Sequence, residues 1–340
     1  MPGSRYALWV RALEEAVDSL IRMYSSWPEQ FRRGYRVGSE GRIRWDGPVL
    51  FCGMGGSGSA GDFASIILEY MGRRGILGVY KGFRIPPWTG PDTLVVAVSY
   101  SGNTYETVSC AREALQRRAK VVAVTSGGIL EKYSSKWGIK LIRVTSGLVP
   151  RAALAEMVGA IVGALEPQEG SKPENSLVDS LSEALAKPSF EDMRSLASSF
   201  YDEGPIIVSS CGVFGIVADR WRTELSENSK VIAKSEIYPE SGHNDIVAWQ
   251  ASGERASFIV VEGPWEPECG RIMDQVTSVY SEIGPLVRYK PSSEDLPSAM
   301  LEAALAGGFF SIALALERNI DPLDTSIISR LKEALGEPVL

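Results

Sequence analysis

Short apolar runs alternate along the chain with longer stretches in which apolar positions return every three or four residues. In the first half the runs read PVLFC at 48–52, ILGVY at 76–80, TLVVAV at 93–98, KVVAV at 120–124 and IKLIRV at 139–144. Stretches 58–71, 104–118 and 128–136 carry the helical spacing between them. Strand-like runs separated by amphipathic helices predict βαβ units and a parallel sheet. The second half repeats the plan. Its runs are 205–210, 231–237, 257–262 and 285–289; its helical stretches are 213–227, 241–250, 266–282 and 295–317, with a closing helix at 324–335. Polar EPQEGSKPEN at 166–175 reads as a linker, flanked by helical stretches at 151–164 and 176–200. The expected fold is α/β, with two doubly wound parallel-sheet domains in tandem. N-terminal helices and the first domain fill 1–165; the second domain and a C-terminal helix fill 166–340. A short internal echo, LFCGMGGSG at 50–58 and SSCGVFGIV at 209–217, suggests duplication.

Composition narrows the class. At 340 residues the chain exceeds one average core, and 44% hydrophobic with 23% charged residues is a globular balance. No run approaches the roughly 20 apolar residues that span a bilayer. The N-terminus alternates apolar and charged positions like an ordinary helix rather than a signal. A cytoplasmic chain without a membrane partner is expected. The net charge of −7, with no Lys/Arg stripe, argues against nucleic acid. His243 is the only histidine, so one subunit cannot assemble a site of two or three imidazoles, and no metal or other cofactor is expected. Cys52, Cys110, Cys211 and Cys269 form no C-x-x-C. Their apolar neighbours suggest buried thiols, and their pairing stays open. Scarce Asn and Gln point weakly to a thermophile.

The chemistry starts at GMGGSG, 53–58, between a run and a helix. Gly53, Gly55 and Gly58 satisfy G-x-G-x-x-G, but a dinucleotide site needs an acid at the end of the next strand. That strand ends Val79-Tyr80-Lys81-Gly82. The third run leads into Ser99-Tyr100-Ser101-Gly102-Asn103-Thr104 and then a helix. One helix cap needs one hydroxyl; here three fall within six residues. With Gly55, Gly56 and Ser57 of the first loop, Ser99, Ser101 and Thr104 form a neutral cradle for one phosphate. Helix N-terminal N–H groups add donors. No Walker A lysine is present, which disfavours a triphosphate.

G-G-S-G after the first strand and S-Y-S-G-N-T-Y-E-T at 99–107 resemble the sugar isomerase (SIS) domain. Two such domains resemble the phosphoglucose isomerase superfamily, and the whole chain is similar to its archaeal bifunctional phosphoglucose/phosphomannose isomerases. The resemblance implies flavodoxin-like SIS domains and a homodimer. It implies metal-free interconversion of glucose 6-phosphate and mannose 6-phosphate with fructose 6-phosphate through a cis-enediol.

Candidate proton-moving groups follow. Either Glu224 or Glu227, one helical turn apart, suits proton abstraction next to a carbonyl; similarity of Glu227-Asn228-Ser229-Lys230 to the family favours Glu227. His243, beside Gly242 and Asn244, reads as accessible and able to titrate near neutrality. The resemblance gives it ring opening and brings it from the neighbouring subunit. Arg151 follows Pro150, a residue suited to a first helical position, where a cation opposes the helix dipole unless an anion is near. The resemblance sets it against the enediolate. Thr325 and Lys332 share a helix face by their spacing of seven. The resemblance assigns Lys332 to ring opening and Thr325 to the pocket wall that leaves room for both C2 epimers. The rivals are a non-catalytic SIS-domain sugar-phosphate sensor and a glucosamine 6-phosphate isomerase-type enzyme. The latter's synthase form needs an ammonia source, which a chain beginning Met1-Pro2-Gly3 is not expected to hold.

Overall fold

The structure, a computed structural model, describes residues 2–167, 174–200, 204–250 and 255–337. Helices α1 (Pro2–Ser25) and α2 (Trp27–Glu40) precede the first alternation: β1 (Val49–Gly53), α3 (Gly55–Tyr70), β2 (Leu77–Tyr80), β3 (Leu94–Val98), α4 (Tyr105–Gln116), β4 (Lys120–Thr125), α5 (Gly128–Trp137) and β5 (Lys140–Arg143). A 3-10 turn, Pro150–Ala153, leads into α6 (Leu154–Leu165); α7 (Glu174–Ala184) and α8 (Phe190–Ser198) follow. The second alternation runs β6 (Ile206–Cys211), α9 (Gly215–Glu224), β7 (Ala233–Tyr238), β8 (Ser257–Val261), α10 (Pro267–Ile283) and β9 (Leu286–Tyr289), then α11 (Leu296–Glu317) and α12 (Ser326–Glu333).

The chain divides into two compact units, Ser26–Ser182 with Thr325–Leu340, and Met1–Ser25 with Glu183–Asp324. Thus α12 belongs with the first sheet and α1 with the second. The first sheet has the order β2-β1-β3-β4-β5, parallel throughout. Val49 faces Leu77 on one side and Leu94 on the other. β1 and β3 are buried at every position, as a sheet covered on both faces requires. The second sheet, β7-β6-β8-β9, is also parallel. Both are doubly wound, and the first has the flavodoxin-like order. The order reverses between β1 and β3, and again between β6 and β8. Loops leaving those strands border a crevice at the sheet's C-terminal edge.

In the first unit α2 lies backbone to backbone on α6. A Cβ on Gly34 would stand 2.1 Å from Glu156 O, and one on Gly163 would stand 2.2 Å from Tyr35 O. Only glycine permits that approach. It carries Arg33 to Glu156 (Nε 3.0 Å, Nη2 2.8 Å) and Tyr35 to Glu166 (2.6 Å). In the second unit α11 is the core helix, buried from Pro297 to Ala315 against α1, α8 and α9. By length and composition it could cross a membrane, contrary to the run-length expectation, but 94% of its apolar window is buried inside the protein. Its one carboxylate within that span, Glu302, accepts from Ser292 and Ser293.

Several expected elements change form. The helix expected at 241–250 is two 3-10 turns, Glu240–His243 and Asp245–Gln250. Short polar side chains capture the backbone there: Ile237 N–H donates to Ser241 Oγ (2.9 Å) and Asp245 N–H to Asn244 Oδ1 (2.6 Å). The stretch 176–200 breaks at Pro188, which cannot continue a helix, and Ser189 caps α8 by accepting from Asp192 N. The helix expected at 213–227 is a 3-10 turn, α9 and a π-helical turn, Leu225–Ser229. Of the expected linker, 168–173 lies outside the described residues.

Candidate active site

The site builds first at the switch point of the first sheet. β1 delivers Gly53-Met54-Gly55 straight into α3, whose N-cap, Met54, provides no side-chain cap. Gly55 takes φ +53°, a value that favours glycine. A Cβ on Gly56 would meet Arg151 Cα and Pro150 O at 3.1 Å, so this glycine lets the 150–151 backbone lie against the helix start. β3 delivers the second loop. Ser57 is buried, and its Oγ accepts from Tyr100 N at 3.1 Å, which joins the two loops. Ser99 is fully buried and donates to Thr104 Oγ1 at 2.9 Å. Ser101 is exposed, and Asn103 N–H donates to its Oγ at 3.3 Å. Thr104 is the N-cap of α4 yet makes no side-chain cap bond, so it does not simply close the helix. Two helix starts without side-chain caps thus lie beside buried and exposed hydroxyls, a donor-rich setting for an anion.

A cavity of about 280 Å³ opens on this loop. Met54, Ser101 and Thr104 line it from the sheet side, and Leu331 and Lys332 from α12. Lys332 therefore faces the hydroxyls across one space, with Glu106 of the first turn of α4 as its acidic neighbour in the lining. Thr325 is the half-buried N-cap residue of α12. Arg151 sits in the 3-10 turn rather than at an α-helix start, and it is 3% exposed.

Sequence reasoning missed Tyr100 and Glu156. Tyr100 donates through its hydroxyl to Thr145 O and accepts from Leu148 N, both at 2.8 Å, which fixes the chain leading to Arg151. Burial raises the Glu156 pKa. The hydrogen bond from Arg33 and those from Thr145 N–H and hydroxyl (2.8 Å each) outweigh it, so the net shift is downward. Both residues lie off the motifs' recurring hydroxyls and glycines, and only the middle position of S-Y-S hinted at one of them.

In the second unit, the corresponding loops hold no such cradle. After β8 the chain reads Glu262-Gly263-Pro264-Trp265-Glu266, two carboxylates where the first unit has hydroxyls. What this unit offers instead lies after α9. Glu224 is buried; it accepts from Arg220, from Tyr24 Oη (2.7 Å) and from Asn228 Nδ2 (2.8 Å). Glu227 is half-buried within the π-helical turn. Asn228 and Ser229 pin that turn to Ser311 of α11 at 2.9 and 2.6 Å. Lys230 closes it at φ +56°, donating to Glu227 O at 2.6 Å. π turns widen a helix locally and recur at functional positions. His243 is exposed at the end of its 3-10 turn. Cys211 and Cys269 form a disulfide, so these two are not the buried thiols expected. Among the described residues no group of three or more His, Cys, Asp or Glu side chains is gathered to hold a metal ion.

A 2-1-3-4-5 sheet with this loop at its switch point makes the first unit a doubly wound domain with an anion-binding loop at the C-terminal edge of its sheet. The SIS domain family matches residues 44–137, and the family described as the bacterial phospho-glucose isomerase C-terminal SIS domain matches 191–335. The bifunctional phosphoglucose/phosphomannose isomerase of Aeropyrum pernix is 34% identical over 93% of this chain and 97% of its own. That of Aquifex aeolicus is 31% identical over 84% of this chain and 90% of its own. The solved glucosamine-6-phosphate deaminase of Thermotoga maritima superposes with a TM-score of 0.67 over 90% of this chain and 96% of its own; at 14% identity it shows the fold alone. The chain belongs to the family of bifunctional phosphoglucose/phosphomannose isomerases, and its two sheets are tandem SIS domains.

Proposed function

We propose that this chain is an aldose–ketose isomerase that interconverts glucose 6-phosphate and mannose 6-phosphate with fructose 6-phosphate. The observation that carries the reading is the cavity where Ser101 and Thr104 meet Lys332, in a member of this isomerase family. Ser101 and Thr104, with the backbone of Gly55 and Gly56, hold the phosphate as hydrogen-bond donors; Ser57 and Ser99, expected beside them as donors, serve from beneath instead, because their hydroxyl protons go to Met157 Sδ and Thr104 Oγ1. Such neutral donors bind a dianion without a fixed counter-charge. Lys332 and His243 open the sugar ring by moving a proton to the ring oxygen. Glu227 takes the C2 proton and returns it to C1 through a cis-enediol. Its half-burial, beside a Glu224 committed to Arg220 and Tyr24, supports this assignment. The Arg151 guanidinium faces the negative charge that develops on the enediolate oxygen. Thr325, small and at a helix start, leaves room for either configuration at C2. No metal takes part in this scheme.

The working form in this reading is a cytoplasmic homodimer in which His243 serves the partner's substrate. The exposure of His243 supports it. So does the apolar surface beside it, with Val247 56% exposed and Ile246, Ile272 and Val279 lining an open groove. The direct test is a coupled assay of purified protein in EDTA, with each aldose phosphate supplied separately. Turnover of both is expected. No turnover of either would replace the isomerase by a sugar-phosphate sensor, and turnover only after metal is restored would remove the metal-free scheme.

A further inference from the structure

The two domains place two cysteine pairs in corresponding positions, but only one pair is bonded. Cys211 ends β6, and Cys269 lies in α10, the helix after β8, where β6 and β8 are neighbours. Cys52 lies one residue before the end of β1, and Cys110 lies in α4, the helix after β3, where β1 and β3 are neighbours. Each pair spans 58 residues of sequence. On the adjoining strand Cys52 faces Tyr80, and Cys211 faces Tyr238. Each pair lies inside its own domain's core: Cys52 and Cys110 in one buried cluster, Cys211 and Cys269 in the other. Cys52 and Cys110 are both buried free thiols of one cluster, and Cys110 Sγ donates to Gly82 O at 3.2 Å.

We propose that Cys52 and Cys110 form a second cystine, the first domain's counterpart of Cys211–Cys269, which braces the phosphate cradle. Cys52 immediately precedes Gly53 of the first loop, and Cys110 sits on the helix that Thr104 starts. One S–S bond therefore ties both loops of the cradle together beneath the substrate.

The oxidant is a small-molecule disulfide. One thiol loses its proton and attacks that disulfide, releasing one small thiol. The second thiol then displaces the other, so two S–H bonds break and one S–S bond forms. Two electrons and two protons pass to the reagent, now two thiols. The neighbouring Cys110 and then burial push the Cys52 thiol well above its ordinary pKa, so thiolate is scarce in the closed fold. Exchange is consequently gated by local opening and accelerates on warming.

The test uses the full chain, purified without reductant and incubated folded with oxidised glutathione over a range of temperatures. The protein is then denatured, alkylated and peptide-mapped. A linked Cys52–Cys110 peptide is expected, with its free-thiol count falling from two to none. It is also expected that the oxidised protein melts roughly 5–10 °C above protein whose Cys52 and Cys110 are reduced, a gain absent from Cys110→Ala. Full alkylation of both cysteines at every temperature below melting, or linkage of either to another cysteine, overturns the proposal. An unchanged melting temperature in fully linked protein overturns the bracing.

Discussion

Ser99 donates to Thr104 Oγ1 at 2.9 Å, and Thr104 N–H points back to Ser99 Oγ at 3.4 Å. The pair occupies the Thr104 oxygen as acceptor and leaves its own proton for an acceptor in the cavity. If a phosphate takes that proton, the bond is one to a charged group, worth about 1.5–3 kcal/mol. Thr104→Val keeps the shape and removes the donor. KM for fructose 6-phosphate should rise roughly 10- to 100-fold with kcat little changed. Steady-state kinetics over a wide substrate range checks it, and an unchanged KM sinks the cradle assignment at this residue.

The two glutamates of the 224–227 stretch should separate under the same substitution. Glu227→Gln should lower kcat on both aldose phosphates by about 10²–10⁴-fold, the usual worth of a positioned base, with the melting temperature almost unmoved. Glu224→Gln breaks a buried pair with Arg220, so its effect should appear in stability, about 3–5 kcal/mol, before it appears in kcat. Chemical denaturation alongside initial rates distinguishes them. If Glu224→Gln is stable but inactive, the base has been placed on the wrong carboxylate.

These contrasts show where the sequence was informative. β1 and β3 were legible because a strand buried on both faces must be apolar throughout, and Val49–Gly53 and Leu94–Val98 are. The hydroxyls at 57, 99, 101 and 104 were legible because no strand or helix core needs them. The π-helical turn at Glu227 was not, because it is set by Asn228 and Ser229 reaching Ser311, more than eighty residues away. The bond from Tyr24 to Glu224 spans 200 residues, so no local pattern could join α1 to the second sheet. Nor could periodicity bring Lys332 to Ser101, since the spacing of an amphipathic helix names a face but not what the face meets.

Glu156 should leave an acid signature on stability. Its folded pKa lies below the ordinary value near 4.5, because Arg33 and Thr145 outweigh burial. The unfolded chain therefore takes up this proton first as pH falls, so the contribution is fully present above the unfolded pKa and is lost as pH drops through the folded one. Denaturant midpoints measured between about pH 6 and pH 3 should decline, and Glu156→Gln should show lower stability at neutral pH with a shallower decline. An identical slope in the variant would mean that other carboxylates carry the whole effect.

The origin of His243 can be read by mixing two impaired variants. If His243 serves the partner's substrate, a dimer of one His243→Asn chain and one Glu227→Gln chain holds one site with both native groups and one site with neither. Random reassociation makes half the dimers mixed, so about a quarter of the native activity on cyclic glucose 6-phosphate should return. If His243 serves its own chain, each mixed site lacks one group and nothing returns. His243 is exposed, so its replacement should not disturb the monomer fold, and the mixing result reports geometry rather than stability. His243→Asn alone should slow reaction of the cyclic sugar far more than solvent exchange of the open-chain C2 proton, since Glu227 still performs the latter. Equal losses in both assays, with no recovery on mixing, would return His243 to a structural role.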